Sequence, residues 1–408
     1  MQEHPVSFET SSSSNQSFMP PSSHDLAETL ALTQPYLERC GITRVTDITR
    51  MDVIGVPVYS AIRPLSLTLA VNAGKGMTRE AARISAIMEA IEYWHAERIP
   101  AETAHFASSA AMQAEHGISI LDFCPELGAT LKRTQPIGWV PLENLSGAGD
   151  VFVPMECVFM PCPPPYGANF LRATSCGMAC GTTIEQATLH AICEVVERHQ
   201  QSFDTVSPRS RATPLRLLAG DTAELAQRID AAGLTLKMRS RYDMGLFFVD
   251  AVVAATEGAS LSYVNGGTAC RSDFQSAARA ALLEAVQSRL TVIHGGRDDL
   301  DERLAPSESK TYDASKAEIE HILDAYSSGI EVTEQDIRMR SPEHAVTRLI
   351  DEIRSAGFAR VLRHRFTQPD DPLQVVRVVI PQMEHFSRAT GKVGRRLLDY
   401  IRSTGGRP

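Results

Sequence analysis

The sequence predicts an α+β fold. Three observations lead there: three helical segments that share one residue pattern, short β-rich runs bounded by Pro and Gly, and the lack of the strict strand–helix alternation that a doubly wound sheet needs. The chain has 408 residues, 43% apolar and only 6% aromatic, enough for a large aliphatic core. Its net charge of −9 argues against a surface built for polyanions. No apolar run reaches the roughly 18 residues of a membrane span. Neither nucleic acid nor a membrane is therefore an expected partner.

The elements follow in order. Residues 1–24 include four consecutive serines, Ser11 to Ser14, with Asn15 and Gln16. They cannot bury enough to order themselves and are expected to form a disordered tail. They also lack the basic-then-apolar pattern of an export signal, so the eight cysteines are expected in a reducing cytoplasm. Residues 25–40 read as an amphipathic helix ending near Gly41. Val56 to Ile62 and Leu65 to Val71 read as strands, and residues 100–150 as mixed structure. Val151 to Phe159 is a strand candidate that runs into Pro161 and Pro163 to Pro165. Leu234 to Arg239, Leu246 to Ala255 and Leu261 to Asn265 read as further strands. Residues 300–325 are charged and helical in pattern. Ala345 to Gly357 reads as a helix, Val375 to Ile380 as a strand and Lys392 to Ile401 as a terminal helix.

The shared pattern is an internal repeat. TREAARISAIMEAIEY from Thr78, TIEQATLHAICEVVER from Thr183 and DFQSAARAALLEAVQS from Asp273 align without gaps. In register they carry Ala82, Ala187 and Ala277, then Ala86, Ala191 and Ala281. Glu89, Glu194 and Glu284 follow, then Glu92, Glu197 and Gln287. Offsets of four, three and three put all four positions on one helical face. The alanines let that face approach another backbone closely. Thr78, Thr183 and Asp273 are N-cap types at the same position. Gly76 and Gly181 precede the first two caps by two residues, where a left-handed turn would bring in the chain.

Carboxylates paired on one face without basic partners repel unless a cation is present. Hard oxygen ligands of this kind suit Mg²⁺, which commonly carries nucleotide phosphates. The repeat thus points to Mg²⁺ with ATP. Lys75, between Gly74 and Gly76, fits a phosphate contact and equally a plain turn; the full Walker A spacing is absent. Arg198 and Arg289 fit phosphate contacts or structural pairs with neighbouring acids. Ser85, one turn before Glu89, fits a phosphate donor or a bond to its own helix backbone. The cysteines at 157, 162, 176 and 180 lack the paired spacing of a zinc site. Cys176 and Cys180 precede a helix N-terminus, a setting that lowers a thiol pKa and would suit sulfur transfer.

These residues resemble the YcaO family. The resemblance is carried by GITRVTDITRMDVIGVPVYSAIRP at 41–64 and by Lys75 with Ser85, Glu89 and Glu92. SCGMACGTTIEQATLHAICEVVERH at 175–199 and ALLEAVQSRLTVIHGGRDDL at 281–300 complete it. It implies a YcaO-type domain over 25–408, with a motif core at 41–300 and a C-terminal lobe at 301–408. Its acidic helices would pack on sheets around Mg-ATP. Metal roles are implied at Glu89, Glu92, Glu194, Glu197 and Glu284, and nucleotide contacts at Lys75, Ser85, Arg198, Gln287 and Arg289.

The implied reaction is ATP-dependent phosphorylation of a peptide backbone amide. The similarity is to YcaO proteins that work beside a TfuA protein, which implies thioamide formation. The expected partners are a precursor peptide and a TfuA-like or other recognition protein, and a homodimer is compatible. Two alternatives stand: an azoline-forming cyclodehydratase with a separate recognition partner, and a non-catalytic scaffold of the same fold. The sequence ends in STGGRP rather than the Pro-x-Pro-x-Pro of azoline-forming members. Thr182 and Gln186 depart from the Asn and Glu usual in the family's loop.

Overall fold

Each acidic segment folds as a strand, a turn and a helix. The computed structural model describes residues 23–255, 264–297, 312–327, 329–335, 346–387 and 389–404. The tail expected at 1–24 lies outside these residues, except for its last two positions, which open the first helix. The first half of the chain contributes α1 (Ser23–Arg39), β1 (Arg44–Asp47), β2 (Val58–Ile62), β3 (Val71–Lys75), α2 (Arg79–Ala96), β4 (His105–Ser108), α3 (Ser109–His116), β5 (Pro136–Asn144), β6 (Asp150–Pro154), β7 (Met178–Gly181) and α4 (Ile184–Val206). The second half adds β8 (Arg211–Ala212), α5 (Gly220–Ala231), β9 (Thr235–Asp243), β10 (Leu246–Ala254), β11 (Val264–Arg271), α6 (Phe274–His294), α7 (Tyr312–Ser327), α8 (Val346–Ser355), β12 (Leu362–Arg365), β13 (Gln374–Val379) and α9 (Arg395–Thr404).

Among the described residues the strands form three antiparallel sheets. Their orders are β1-β2-β3, β4-β5-β12-β13-β7 with β6 beside β5, and β11-β10-β9-β8. Mixed helices and antiparallel sheets make this α+β, as the sequence pattern requires. The strand that precedes each acidic helix is an edge strand of its own sheet: β3, β7 and β11. The helices α2, α4 and α6 start at Thr78, Thr183 and Asp273, whose side chains accept from the backbone N–H three residues on. The expected caps are thus in place.

The alanine stripe does what its sequence implies. Ala82, Ala86, Ala187, Ala191, Ala277 and Ala281 are all fully buried. A Cβ on Gly74 would lie 2.0 Å from the Ala86 nitrogen, and one on Gly267 would lie 2.2 Å from the Ala281 oxygen. Backbone meets backbone there with no room for a side chain. Gly76 and Gly181 do not form the left-handed turns expected of them, since neither has a positive φ. They are glycines because an added Cβ would sit 2.7 Å from the Ala82 nitrogen and 2.9 Å from the Ala187 nitrogen.

Other expectations shift. Residues 64–70 are turns rather than a strand, with Leu65 94% exposed. Ser66 and Thr68 turn their hydroxyls onto Glu97 instead of extending a ladder. The strand candidate at 151–159 stops at Pro154 and becomes a 3-10 turn at Met155–Cys157. There the Glu156 carboxylate accepts from the backbone N–H groups of Ala168, Phe170 and Leu171. Strand β11 begins at Val264, and residues 261–263 of the expected strand lie outside the described residues, as do 300–311. The terminal helix starts at Arg395 rather than Lys392, because the Glu384 carboxylate accepts from the Gly394 and Leu397 N–H groups and so sets its first turn. Among the described residues no helix is long and apolar enough to cross a membrane.

Candidate functional site

The three repeats lock together through the last position of their shared pattern. Glu92 of α2 accepts from the Cys180 N–H of β7 at 2.8 Å. Glu197 of α4 accepts from the Thr268 hydroxyl of β11 at 2.8 Å. Gln287 of α6 donates through Nε2 to the Ala73 carbonyl of β3 at 2.8 Å. Each helix thus reaches the edge strand of the next repeat, and the third returns to the first. The cycle also explains the one Gln among the acids. Glu92 and Glu197 meet donors, whereas Gln287 meets a carbonyl, which a carboxylate cannot bond.

The preceding position completes the centre. Glu89 accepts from the Ala73 N–H, and Glu194 accepts from the Gly177 N–H at 3.1 Å. Glu284 pairs with Lys75 at 3.5 Å. Arg198 lies 3.8 Å from Glu194 and 3.9 Å from Glu197. Burial pushes Glu89 up to about 7, against the pull of Lys75 and Arg297. Burial also drives Glu92 well above its usual range, with Glu89 and Glu194 adding repulsion. Glu194 is raised by burial too, although Arg198 opposes the shift. Glu197 is pushed up to about 7 by burial and by Glu284 and Glu194, again against Arg198.

The protein's own cations therefore leave the carboxylates under-compensated. Gln287 also keeps a buried Oε1 with no partner. Hard oxygen donors in excess of positive charge fit Mg²⁺. Among the described residues no three His, Cys, Asp or Glu side chains converge on a metal position by themselves. That matches a metal held by one or two carboxylates while phosphate oxygens supply the rest.

The other sequence-derived candidates divide. Ser85 is half-buried on α2, one turn before Glu89. Arg289 is drawn to a different acid: its Nε bonds the Asp52 carboxylate at 3.0 Å, and both side chains are nearly buried. This is the structural pairing the sequence left open. Gln186 is exposed and accepts from the Thr182 N–H and hydroxyl, so it caps the entrance to α4. Cys176 and Cys180 are not activated thiols. Burial pushes both up, helped by Glu194 beside Cys176 and by Glu92 beside Cys180. The burial that surrounds them works against the lowered thiol pKa expected at a helix N-terminus. All eight cysteines are free.

Sequence reasoning missed Thr268 and Arg297. Thr268 carried no periodic signal, and its role appears only when β11 meets α4. Arg297 directly follows Gly295-Gly296 at the end of α6, within the family-like block, and its charge acts on Glu89. His190, one turn before Glu194, opens to solvent.

Comparison with known proteins gives the family. The model of the YcaO family, described as YcaO cyclodehydratase, ATP- and Mg²⁺-binding, matches residues 73–384. An uncharacterised protein in the tfuA 3′ region of Rhizobium leguminosarum bv. trifolii is 33% identical over 400 residues, 92% of each chain. The structure of YcaO from Methanopyrus kandleri bound with AMPPCP and Mg²⁺ superposes with a TM-score of 0.70 at 21% identity. That match covers 91% of this chain and 94% of the other. A heterocyclase in complex with substrate and cofactor superposes with a TM-score of 0.68 at 20% identity, over 92% of this chain and 55% of the other. The repeated acidic helices, their cyclic exchange of hydrogen bonds and the family match together lead to one conclusion: this chain belongs to the ATP- and Mg²⁺-binding YcaO family.

Proposed function

We propose that this protein uses Mg-ATP to phosphorylate a backbone amide of a precursor peptide, with a TfuA-type partner, and forms a thioamide. The observation that carries the enzymatic part is the cyclic carboxylate centre. Its acids are left short of positive charge, an arrangement that costs stability unless a cationic ligand arrives. Glu89, Glu92, Glu194 and Glu197 would supply the one or two carboxylates that hold each Mg²⁺, with Glu284 beside them. Lys75, Arg198 and Arg297 supply charge for phosphate oxygens, and Ser85 offers a hydroxyl. Mg²⁺ bound with ATP would draw charge from the transferring phosphoryl group.

The chemistry balances without a redox partner. Hydrosulfide adds to the amide carbon, and the amide oxygen takes the γ-phosphoryl group of ATP. The carbon–oxygen bond then breaks, and the oxygen leaves in phosphate. Carbon keeps the sulfur, and the hydrosulfide proton passes to phosphate. The protein's part is chiefly positioning and charge stabilisation.

The thioamide outcome is supported by the relative in a tfuA 3′ region. A second outcome, azoline formation with a separate recognition partner, is favoured by the family description as cyclodehydratases. Mass spectrometry of the peptide after incubation with Mg-ATP, sulfide and the partner separates them. Exchange of one oxygen for sulfur supports thioamide formation. Loss of one water without sulfur supports the azoline. Calorimetric titration of Mg-ATP into wild type and the Glu92→Ala, Glu197→Ala variant tests the shared premise. Folded wild type that binds no Mg-ATP, with or without the partner, would sink both in favour of a scaffold.

A further inference from the structure

A polar cavity of about 340 Å³ adjoins the carboxylate centre between α4 and the four-stranded sheet. One wall is a row across that sheet. Arg239 on β9 stands opposite Asp250 on β10, and Asp250 stands opposite Thr268 on β11. Directly opposed residues share a face, and Thr268 bonds Glu197, so the row faces α4. The other wall is the face of α4 beyond Glu197, where Gln201 and Asp204 follow at offsets of four and seven. The cavity reaches Glu284 at its inner end.

Two of its lining residues are buried and keep side-chain atoms without a partner. Arg239 is 6% exposed; its Nη2 bonds Asp250 at 3.1 Å, and its Nε and Nη1 have no partner. Asp204 is 8% exposed; its Oδ1 accepts from the Arg209 N–H at 2.8 Å, and its Oδ2 has no partner. A buried polar group left unpaired is costly, so the cavity's lining residues hold donors and an acceptor that lack partners. Asp204, Asp250 and Glu284 would repel an anion. A nucleobase pocket needs apolar walls, and no aliphatic side chain lines this cavity among the described residues. Its one ring, Tyr326, has the Arg239 guanidinium over it at 4.2 Å. Gly266, on the same face as Thr268, leaves a strip of bare backbone.

We infer that this cavity seats peptide main chain, a carbonyl accepting from Arg239 and an N–H donating to Asp204, so that the chain is delivered beside Glu197 and Glu284. This rests on the peptide-modifying reading above and assigns the residues that would hold the substrate. The fit is to a neutral backbone and is independent of side chains, as a modification of backbone amides requires.

Gly266→Val is a direct test. A Cβ at Gly266 meets only the Ala251 oxygen, at an ordinary 3.6 Å, so a side chain can start there without a clash and narrows the cavity. Asp204→Asn keeps the Oδ1 acceptor and turns the idle acceptor into a donor. The probe is a capped alanine–glycine hexapeptide, titrated by ligand-observed NMR with and without Mg-ATP; sulfate is titrated in parallel. Saturable hexapeptide binding, weakened at least about tenfold in both variants with Mg-ATP affinity unchanged, is the expected result. Equal binding in all three proteins, or no saturable binding to wild type, would overturn the inference. So would sulfate binding in place of peptide. Loss of Mg-ATP affinity in Gly266→Val would assign the cavity to the nucleotide instead. Wild type that takes peptide but no Mg-ATP would sink the functional reading and leave this one standing.

Discussion

Glu92 and Glu97 lie little more than one turn apart at the end of α2, and they are carboxylates of opposite kinds. Glu97 is buried against Arg63 and also accepts from the Ser66 and Thr68 hydroxyls at 2.7 and 2.6 Å. Burial pushes its pKa up, but Arg63, Thr68 and Ser66 outweigh burial and leave it below the usual value. Glu92 has one backbone donor, Cys180, and two acidic neighbours, Glu89 and Glu194, so its pKa is driven up. The structural carboxylate is saturated with donors; the site carboxylate is left wanting them. This difference separates a scaffold acid from a ligand acid better than burial does.

The largest test removes the saturated acid. Glu97→Ala leaves the Arg63 guanidinium buried and unpaired, and should cost about 3–5 kcal/mol. Chemical denaturation measures it. Mg-ATP affinity of the protein that remains folded should not change. A loss of affinity without loss of stability would erase the contrast.

The next test uses pH. A carboxylate whose folded pKa is raised binds its proton more tightly in the folded state, so stability falls as pH rises. For Glu89 the window runs from its ordinary 4.5 up to about 7, and the loss is complete above it. The cost is on the order of 3 kcal/mol for this one acid. The ligand-free protein should therefore lose thermal stability across that window, and Mg²⁺ with ATP should restore it on the alkaline side. Glu97 contributes in the opposite direction, since its depressed pKa adds stability that is lost only in acid. A flat melting profile between these limits would break the comparison.

A third test reads function. Glu92→Gln keeps the shape and lowers the local negative charge. It should reduce ATP-dependent turnover about 100-fold, equivalent to about 2.7 kcal/mol, while the ligand-free protein melts no lower than wild type. Gln287→Glu sharpens the same point. It sets a carboxylate against the Ala73 carbonyl, and the unmade bond should cost about 1–3 kcal/mol by denaturation. The smallest effect belongs to Gln186→Ala. Gln186 is exposed and serves the start of α4, so the expected loss is about 1 kcal/mol, with turnover unchanged. A large loss of turnover there would move Gln186 into the site.

Much of the centre was legible because helical periodicity is written locally. Offsets of four, three and three identify one face whatever the rest of the chain does, so Glu89, Glu92, Glu194, Glu197 and Glu284 could be grouped before any coordinates. N-caps are equally local, and Thr78, Thr183 and Asp273 behave as their types predict. Errors arose where a local signal had two meanings. Gly76 and Gly181 suggested left-handed turns, but the demand on them is close approach of a helix backbone. Leu65 to Val71 had β-forming residues, yet Glu97, far along the chain, pulls Ser66 and Thr68 out of register. Cys176 and Cys180 stand before a helix, but burial, with Glu194 and Glu92 beside them, pushes both thiols up.

The sequence by itself determined the three acidic helices, their alanine faces, the hard-ligand chemistry and the family resemblance, because each depends on residues within a few turns of one another. Only the tertiary structure decided that Glu92, Glu197 and Gln287 close a cycle over three sheet edges, that Arg289 turns to Asp52, and that Arg239 and Asp204 line one cavity. Those facts depend on which distant donors and acceptors meet. No periodicity encodes that, since Gln287 and Ala73 become partners only when two sheets bring them together.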